Sequence, residues 1–444
     1  MTNSTFAESL GEYIQRISPQ NIAMDTREIA QDCILDALGA ALAAVSEDRL
    51  AKIAQTLTAD AGVHGAFVVG SERTFVAADA AWANGVLMHI EDFDDTPHTS
   101  YFLPALMAVT AEKKVSGAEF IGAWVAAYNT WMILAGCLDF NRPFNPTSVF
   151  APIAAAAGVA KLRGLDAGQT ANALVIATQY SGGLRGHFGT DVKAFDAGRS
   201  AQAGLKSVDL ASAGWAGELA IFESENGWGE SFGLSPGAFT LAVETMGKPS
   251  ALVSLLGRRP GIKQWPCCAR NIGPVAALEQ IVESASGVVR ALDVEVGFVP
   301  EETAVFRTNP RTPQEARFDL GYALVAMARD KEITQESFTN GAFEKTISDP
   351  LLRNISVKYV ASRAGNMQTE TCLVTAHMSS GEQLTSEVEG LRFLDHESVQ
   401  EKFLHNSTNK IPKEAAASAM SMTAHLNEIE DAEDVFRLFR KDNS

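Results

Sequence analysis

The stretch APIAAAAGVAKL (151–162), followed closely by AGQTANALVIATQY (167–180), decides how the first half of the chain is read. Small side chains let helix backbones approach closely, and the Ile, Val and Leu set among the alanines supply apolar area to bury. A low-complexity linker is the alternative for an alanine-rich run, but it lacks those larger apolar residues. The stretch therefore predicts interior helices of a helical domain. Outward from it the pattern holds. Thr5 and Glu8 have capping-box spacing, and Phe6, Leu10, Tyr13, Ile14 and Ile17 then fall on one helical face. Asp25 and Glu28 repeat the spacing ahead of Ile29, Cys33, Ile34 and Leu38.

The character changes at SALVSLLGRRPGIKQWP (250–266), where Gly and Pro punctuate the chain. Beyond it, ALDVEVGFV (291–299) and ISVKYVA (355–361) alternate as strands do. ETCLVTAHMSSGEQLTSEVE (370–389) reads as a hairpin turning at Ser379-Ser380-Gly381-Glu382. EARFDLGYALVAMARD supplies helix between the strands. After about residue 395 the helical period returns, with Val435, Phe436, Leu438 and Phe439 near the end, a tail suited to docking on the first domain. The expectation is a mainly α protein: a large all-helical domain from 1–250 and 396–444, and a smaller α+β lid from 251–395.

A chain of 444 residues exceeds the roughly 250–300 residues at which single cores stop growing, which also points to two domains. There are 54 acids against 36 bases, a formal charge of −18 that repels phosphate backbones and anionic lipid. Neither nucleic acid nor a membrane surface is an expected partner. The five cysteines (33, 137, 267, 268, 372) form no CxxC pair, which suits a reducing, cytoplasmic setting. The N-terminus lacks a basic start followed by an apolar stretch, and the apolar run 130–138 is too short to span a bilayer. A soluble chain is expected.

EDFDDTPHTS (91–100) packs Glu91, Asp92, Asp94 and Asp95 into five positions, then Thr96 and His98. A magnesium reading compares DDTPH with the DDxxD of helical prenyl-chain synthases, but the last aspartate is a histidine and no second such motif follows. A solvated helix end is the plain alternative. An acid, a hydroxyl and a histidine at a helix end also make a proton-transfer group. GLRGHFGTDVKAFDAGRSA (183–201) carries no phosphate-loop pattern, but Lys193 and Arg199, with Arg185 and His187 nearby, form a candidate anion patch. In QWPCCARN (264–271) either cysteine is a potential nucleophile, with buried structural thiols the favoured reading. In NPRTPQEARFDLGY (309–322), Arg311 and Arg317 are placed to meet carboxylates and Tyr322 to donate a proton; taken singly, each also reads as structural.

Taken in order, five segments resemble the 2-methylcitrate dehydratase (MmgE/PrpD) family, which includes cis-aconitate decarboxylase and iminodisuccinate epimerase. They are NGVLMHIEDFDDTPHTSYFLPALMAVTAE (84–112), FNPTSVFAPIAAAAGVAKLRGLD (144–166), HFGTDVKAFDAGRSAQAG (187–204), WPCCARNIGPVAALE (265–279) and NPRTPQEARFDLGYALVAMA (309–328). The resemblance implies a homodimer without metal or organic cofactor, acting on small anionic di- or tricarboxylates in a cleft between the domains. Matched residue by residue, the family's site falls on Asp92, Thr96, His98, Lys193 and Tyr322. Three expected histidines are replaced, by Asn145, Asp196 and Ile272.

Proton removal beside a carboxylate builds negative charge on an anion, so the site needs a base, fixed positive charge or donors, and exclusion of water. On this reading Lys193 takes the substrate carboxylate, with Arg317 or Arg270 as helpers. His98, oriented by Asp92, is general base or acid, Thr96 and Asn145 contact substrate, and Tyr322 is the second proton donor. Dehydration, decarboxylation and epimerisation share this cradle, with lyase chemistry placed first. A non-catalytic carboxylate binder and a magnesium-dependent enzyme of isoprenoid diphosphates are the readings from other classes.

Overall fold

The computed structural model describes residues 4–59, 65–137, 144–234, 236–298, 309–365, 369–390 and 394–441. Residues 1–3, Leu138 and Val299, which belong to stretches read above, lie outside the described residues. The protein is mainly α-helical. One apolar core draws on side chains from Phe6 to Ile262 and again from Val399 to Phe439, and a second on Trp265 to Met378. A third, small apolar cluster holds Phe188, Cys268 and Phe318.

Local signals explain most helix starts. Thr5 and Glu8 close a capping box on the Phe6–Arg16 helix, and Ser116/Glu119 and Asp166/Gln169 do the same for Gly117–Ala135 and Ala167–Ala177. Asp25 differs from expectation. The helix already begins at Met24, so Asp25 lies in its first turn, where its carboxylate favours the helix dipole rather than capping it. The alanine-rich stretch forms the Pro146–Arg163 helix, with Ala154 to Ala157 fully buried.

The second core packs helices Ala269–Ser284 and Leu320–Asp330 on a four-stranded sheet. Its order is Ile355–Tyr359, Val289–Val296, Thr371–Met378, Gln383–Glu389, the first pair parallel and the others antiparallel. Alternate residues Cys372, Val374, Ala376 and Met378 face the core, as period-two strands require.

Two helix pairs place the site. Ala77–His89 runs against Asp191–Ser212, with Gly85 and Gly198 at the crossing. A Cβ on Gly198 would come within 2.3 Å of the Trp82 carbonyl oxygen, and one on Gly85 within 2.8 Å of Gly198. Only glycine permits this approach, and it brings the end of one helix, His89, to the start of the other, Lys193. The C-terminal His396–Ser407 helix lies on Met24–Ala44, where Gly39 makes room for Phe403.

Candidate active site

The Ala77–His89 helix ends where the acidic stretch begins. Asp92 (φ 50°) and His98 (φ 26°) adopt left-handed backbone, and the Thr96–Pro97 peptide between them is cis. The resulting turn folds inward, so Glu91, Asp92, Asp94 and Asp95 are all at most 6% exposed. This rules out the solvated helix end, the plain alternative for the acidic stretch. A buried carboxylate is tolerated only with donors or cations around it, and each of these four is met by its own set of partners.

Asp94 sits between two imidazoles. It accepts from His89 Nδ1 (3.0 and 2.9 Å), His98 Nδ1 (3.1 Å) and Ser100 Oγ (2.5 Å). Burial alone would raise its pKa, but His89 and His98 outweigh burial and hold it well below the usual carboxylate range. With Nδ1 of both rings donating, each Nε2 is left as an acceptor. His89 Nε2 lies 2.6 Å from Lys193 Nζ and 3.3 Å from the Tyr101 hydroxyl. Burial, reinforced by the Lys193 charge and only partly opposed by Asp94, pushes His89 down to about 3, so the ring is neutral. His98 Nε2 has no hydrogen bond among the described residues, and its side chain is 15% exposed. Burial also lowers the His98 pKa, leaving a neutral imidazole that can take up a proton at Nε2.

Asp92 pairs elsewhere. Its carboxylate meets Lys193 Nζ at 2.6 Å and Lys263 Nζ at 3.3 Å, while Lys263 Nζ also donates to the Asp92 carbonyl (2.8 Å). Burial would raise its pKa; the two ammonium groups outweigh burial and hold it below the usual range. The orientation of His98 therefore comes from Asp94, not Asp92, because the left-handed turn at Asp92 aims its carboxylate at the lysines. Lys193 uses two of its N–H groups on Asp92 and His89, and the third has no partner among the described residues. The Phe188 and Phe318 rings wall it in, their centroids 5.7 and 5.3 Å away.

The second core clamps this loop from outside. Arg317 ion-pairs with Glu91 and donates to the carbonyls of Glu91 (3.1 Å) and Pro266 (2.8 Å), and Gln314 donates to the Ile90 carbonyl (2.6 Å). Arg49 reaches Glu91 from the other side at 2.7 Å. Thr96 exchanges backbone hydrogen bonds with Gly261, and its hydroxyl accepts from Arg258 at 3.0 Å. Asp95 accepts from the Thr99 amide and hydroxyl, and burial with the charges of Asp94 and Asp36 raises its pKa well above normal.

Asn145 and Asp196, two of the positions where histidine was expected, touch each other. Asn145 Nδ2 donates to Asp196 (3.2 Å), Ser148 Oγ donates to the same oxygen (2.7 Å), and Arg199 pairs with the other (3.4 Å). Tyr101 lies beside Asn145, which links this group to His89. Ile272, at the third position, is fully buried in the second core.

The structure thus brings Asp92, His98 and Lys193 into one cluster, sets Thr96 on the same loop, and joins Asn145 to it through Tyr101. It places three candidates otherwise. Tyr322 is fully buried, with its hydroxyl donating to the Ser337 carbonyl (2.5 Å) and its ring stacked on Phe338 and Phe343, so it packs the second core rather than facing the cluster. Arg270 ion-pairs with Glu370 beside Phe298. Arg317 is committed to Glu91. Exposed Arg311 meets only Glu315 among the described residues. Cys267 and Cys268 are buried, and burial pushes the Cys268 thiol up to about 11, which removes the nucleophile reading. His89, Ser100, Tyr101 and Lys263 escaped sequence reasoning. The one available signal was an imidazole in the apolar run VLMHI directly before the acids.

His89, Asp94 and His98 offer ligand atoms within 4.8 Å of one another. The Asp94 oxygens already accept from both rings and Ser100, however, and a cation there would face the Lys193 ammonium across His89. The group fits a hydrogen-bonded acid–base network better than a metal site. Two described cavities lie elsewhere. One of about 200 Å³ is lined by Leu50, Leu57, Val68 and Phe75; the other, about 10 Å³, lies by Arg270 and Glu370.

Fold and site define a mainly helical protein with a buried imidazole–carboxylate–ammonium cluster clamped by a second core. The chain belongs to the MmgE/PrpD family: residues 8–238, more than half of it, match the MmgE/PrpD N-terminal domain. It is 24% identical to human (Homo sapiens) cis-aconitate decarboxylase over 383 residues, 79% of this chain and 77% of the relative. The Mus musculus enzyme of the same name is 24% identical over 390 residues, 81% and 78% of the two chains. A cis-aconitate decarboxylase-like protein, oryM, of Aspergillus oryzae is 25% identical over 300 residues, 61% and 60%.

Proposed function

We propose that this protein is a cofactor-independent lyase acting on a small di- or tricarboxylic acid, with decarboxylation the favoured reaction. Two relatives that align over more than three quarters of this chain are named as decarboxylases of cis-aconitate, a tricarboxylate. The observation that carries the proposal is the arrangement around Asp94. One ionised carboxylate fixes two imidazoles in the tautomer that leaves Nε2 basic, and the His98 Nε2 is open.

In decarboxylation the C–C bond to a carboxylate breaks, carbon dioxide leaves, and the electron pair spreads toward a neighbouring carboxylate before a proton quenches it. The Lys193 ammonium and its third N–H supply fixed positive charge where that negative charge builds. His98 first takes a proton from solvent at Nε2, with Asp94 stabilising the imidazolium, and then delivers that proton to the carbon. Thr96 hydrogen-bonds substrate from the same loop. In dehydration His98 would instead take a proton from carbon and pass it to the departing hydroxyl, which leaves as water. Epimerisation needs acid and base on opposite faces of one carbon. The two imidazoles share one carboxylate with centroids 4.7 Å apart, which favours one-sided proton handling.

Proton NMR in D₂O of cis-aconitate, 2-methylcitrate and iminodisuccinate incubated with the protein tests the proposal. Loss of cis-aconitate with deuterium in the product, unaffected by EDTA, is the expected result. EDTA-sensitive turnover counts against the cofactor-independent mechanism, and inversion of iminodisuccinate alone would replace the lyase by an epimerase. No exchange on any acid, with a thermal shift on one, would make the protein a binder.

A further inference from the structure

Lys402 lies in the C-terminal His396–Ser407 helix, 309 residues along the chain from Phe93 and outside the stretch that matches the family. Its side chain is 6% exposed. Nζ meets Asp36 Oδ1 at 2.6 Å, the Phe93 carbonyl at 2.6 Å and the Lys263 carbonyl at 3.0 Å, above the Phe93 ring at 3.7 Å. An ammonium has three N–H groups, so all are used. Asp36 alone neutralises the charge; the two carbonyls are not needed for that. They belong to the two segments that build the cluster. Phe93 lies between Asp92 and Asp94, and the Lys263 side chain holds the Asp92 carbonyl and carboxylate.

We propose that Lys402 is a positioning residue for the proton-transfer cluster. By tying the Phe93 and Lys263 carbonyls to one ammonium, it sets where Lys263 meets Asp92, and so where Lys193 stands beside His89. The C-terminal helix is then part of the active machinery, although it contributes no group to the reacting centre. The inference rests on the reading of that cluster as the active site.

The test compares Lys402→Met, Lys263→Met and the double variant, using turnover of the acid that the native protein consumes. Lys402→Met should lower kcat about 10-fold or more with KM within about 3-fold, and Lys402→Arg should recover part of the loss. Because both lysines act through Asp92, the double variant should fall no more than about 3-fold below Lys263→Met. Asp36→Asn keeps both carbonyl bonds, so its kcat should stay within about 3-fold of native while its urea midpoint drops. Effects that multiply, a loss carried by KM, or a native-like kcat in Lys402→Met overturns the proposal. If Lys402→Met does not fold, Lys402→Gln takes its place; unfolding of both assigns a purely structural role and also overturns it. If the native protein turns over none of the acids, the active-site reading fails separately. Lys402 is then judged by the imidazole ¹⁵N resonances of His89 and His98, which it does not touch. Their displacement in Lys402→Met supports positioning, and unchanged resonances sink it.

Discussion

In the proposed reaction His98 and Lys193 act by different routes. His98 carries an open Nε2 and is held in place by Asp94, so His98→Gln keeps the shape while removing the group that moves the proton. General acid–base groups contribute about 10²–10⁴-fold, and a loss in that range is expected in kcat, together with loss of deuterium incorporation from D₂O. Unchanged incorporation would clear this histidine. Lys193→Ala removes the charge shared by Asp92 and His89. Lys263 still neutralises Asp92, so the fold should persist by circular dichroism while turnover falls at least about 100-fold. Near-native turnover would end its role as the cationic anchor. Arg317 works through structure instead. Removing one partner of a buried ion pair costs about 3–5 kcal/mol, and Arg49 remains to hold Glu91. Arg317→Ala should therefore lower unfolding stability by about 3 kcal/mol in urea titrations.

At the scale of elements, the distance between two helices decides whether His89 and Lys193 meet. Gly198 allows Ala77–His89 and Asp191–Ser212 to touch backbone to backbone, and an added methyl would lie 2.3 Å from the Trp82 carbonyl oxygen. Overpacking of this kind costs about 1–3 kcal/mol. Gly198→Ala should lower stability by that amount and also lower kcat, because the helices must part where the imidazole and ammonium are 2.6 Å apart. A variant destabilised but fully active would show that the crossing does not set the site. The loop after His89 is the other decisive element. Its left-handed residues send Asp92 to the lysines and Asp94 to the imidazoles, a division that spacing alone does not reveal.

For the whole molecule, the buried neutral imidazole ties stability to pH. The His89 pKa falls from an ordinary value near 6.5 to about 3 on folding. Between those values the unfolded chain binds a proton that the native protein does not, so stability rises with pH and is lost as pH falls below about 6.5. From pH 7 to pH 5 this one group removes roughly 2 kcal/mol. His89→Gln lacks this contribution, so the stability gap between native protein and variant should shrink by about that amount over the same interval. A gap independent of pH would mean that His89 is not buried neutral. Among the described residues no single helix is long and apolar enough to cross a membrane.

Helix content, the strand-bearing segment and the packing of residues 399–439 into the first core were legible in the order of residues. Each rests on short-range physics: capping pairs such as Thr5 and Glu8, period-two alternation in Thr371–Met378, and apolar spacing around Phe436. Partner choice was not legible. Which carboxylate holds which imidazole depends on two left-handed backbone turns. Whether Lys193 reaches His89 depends on a glycine crossing, and whether Tyr322 faces the cluster depends on which core its ring fills. Lys402 joins Phe93 across 309 residues. Contacts between groups so distant along the chain exist only once both cores are packed, so the tertiary structure alone decided them.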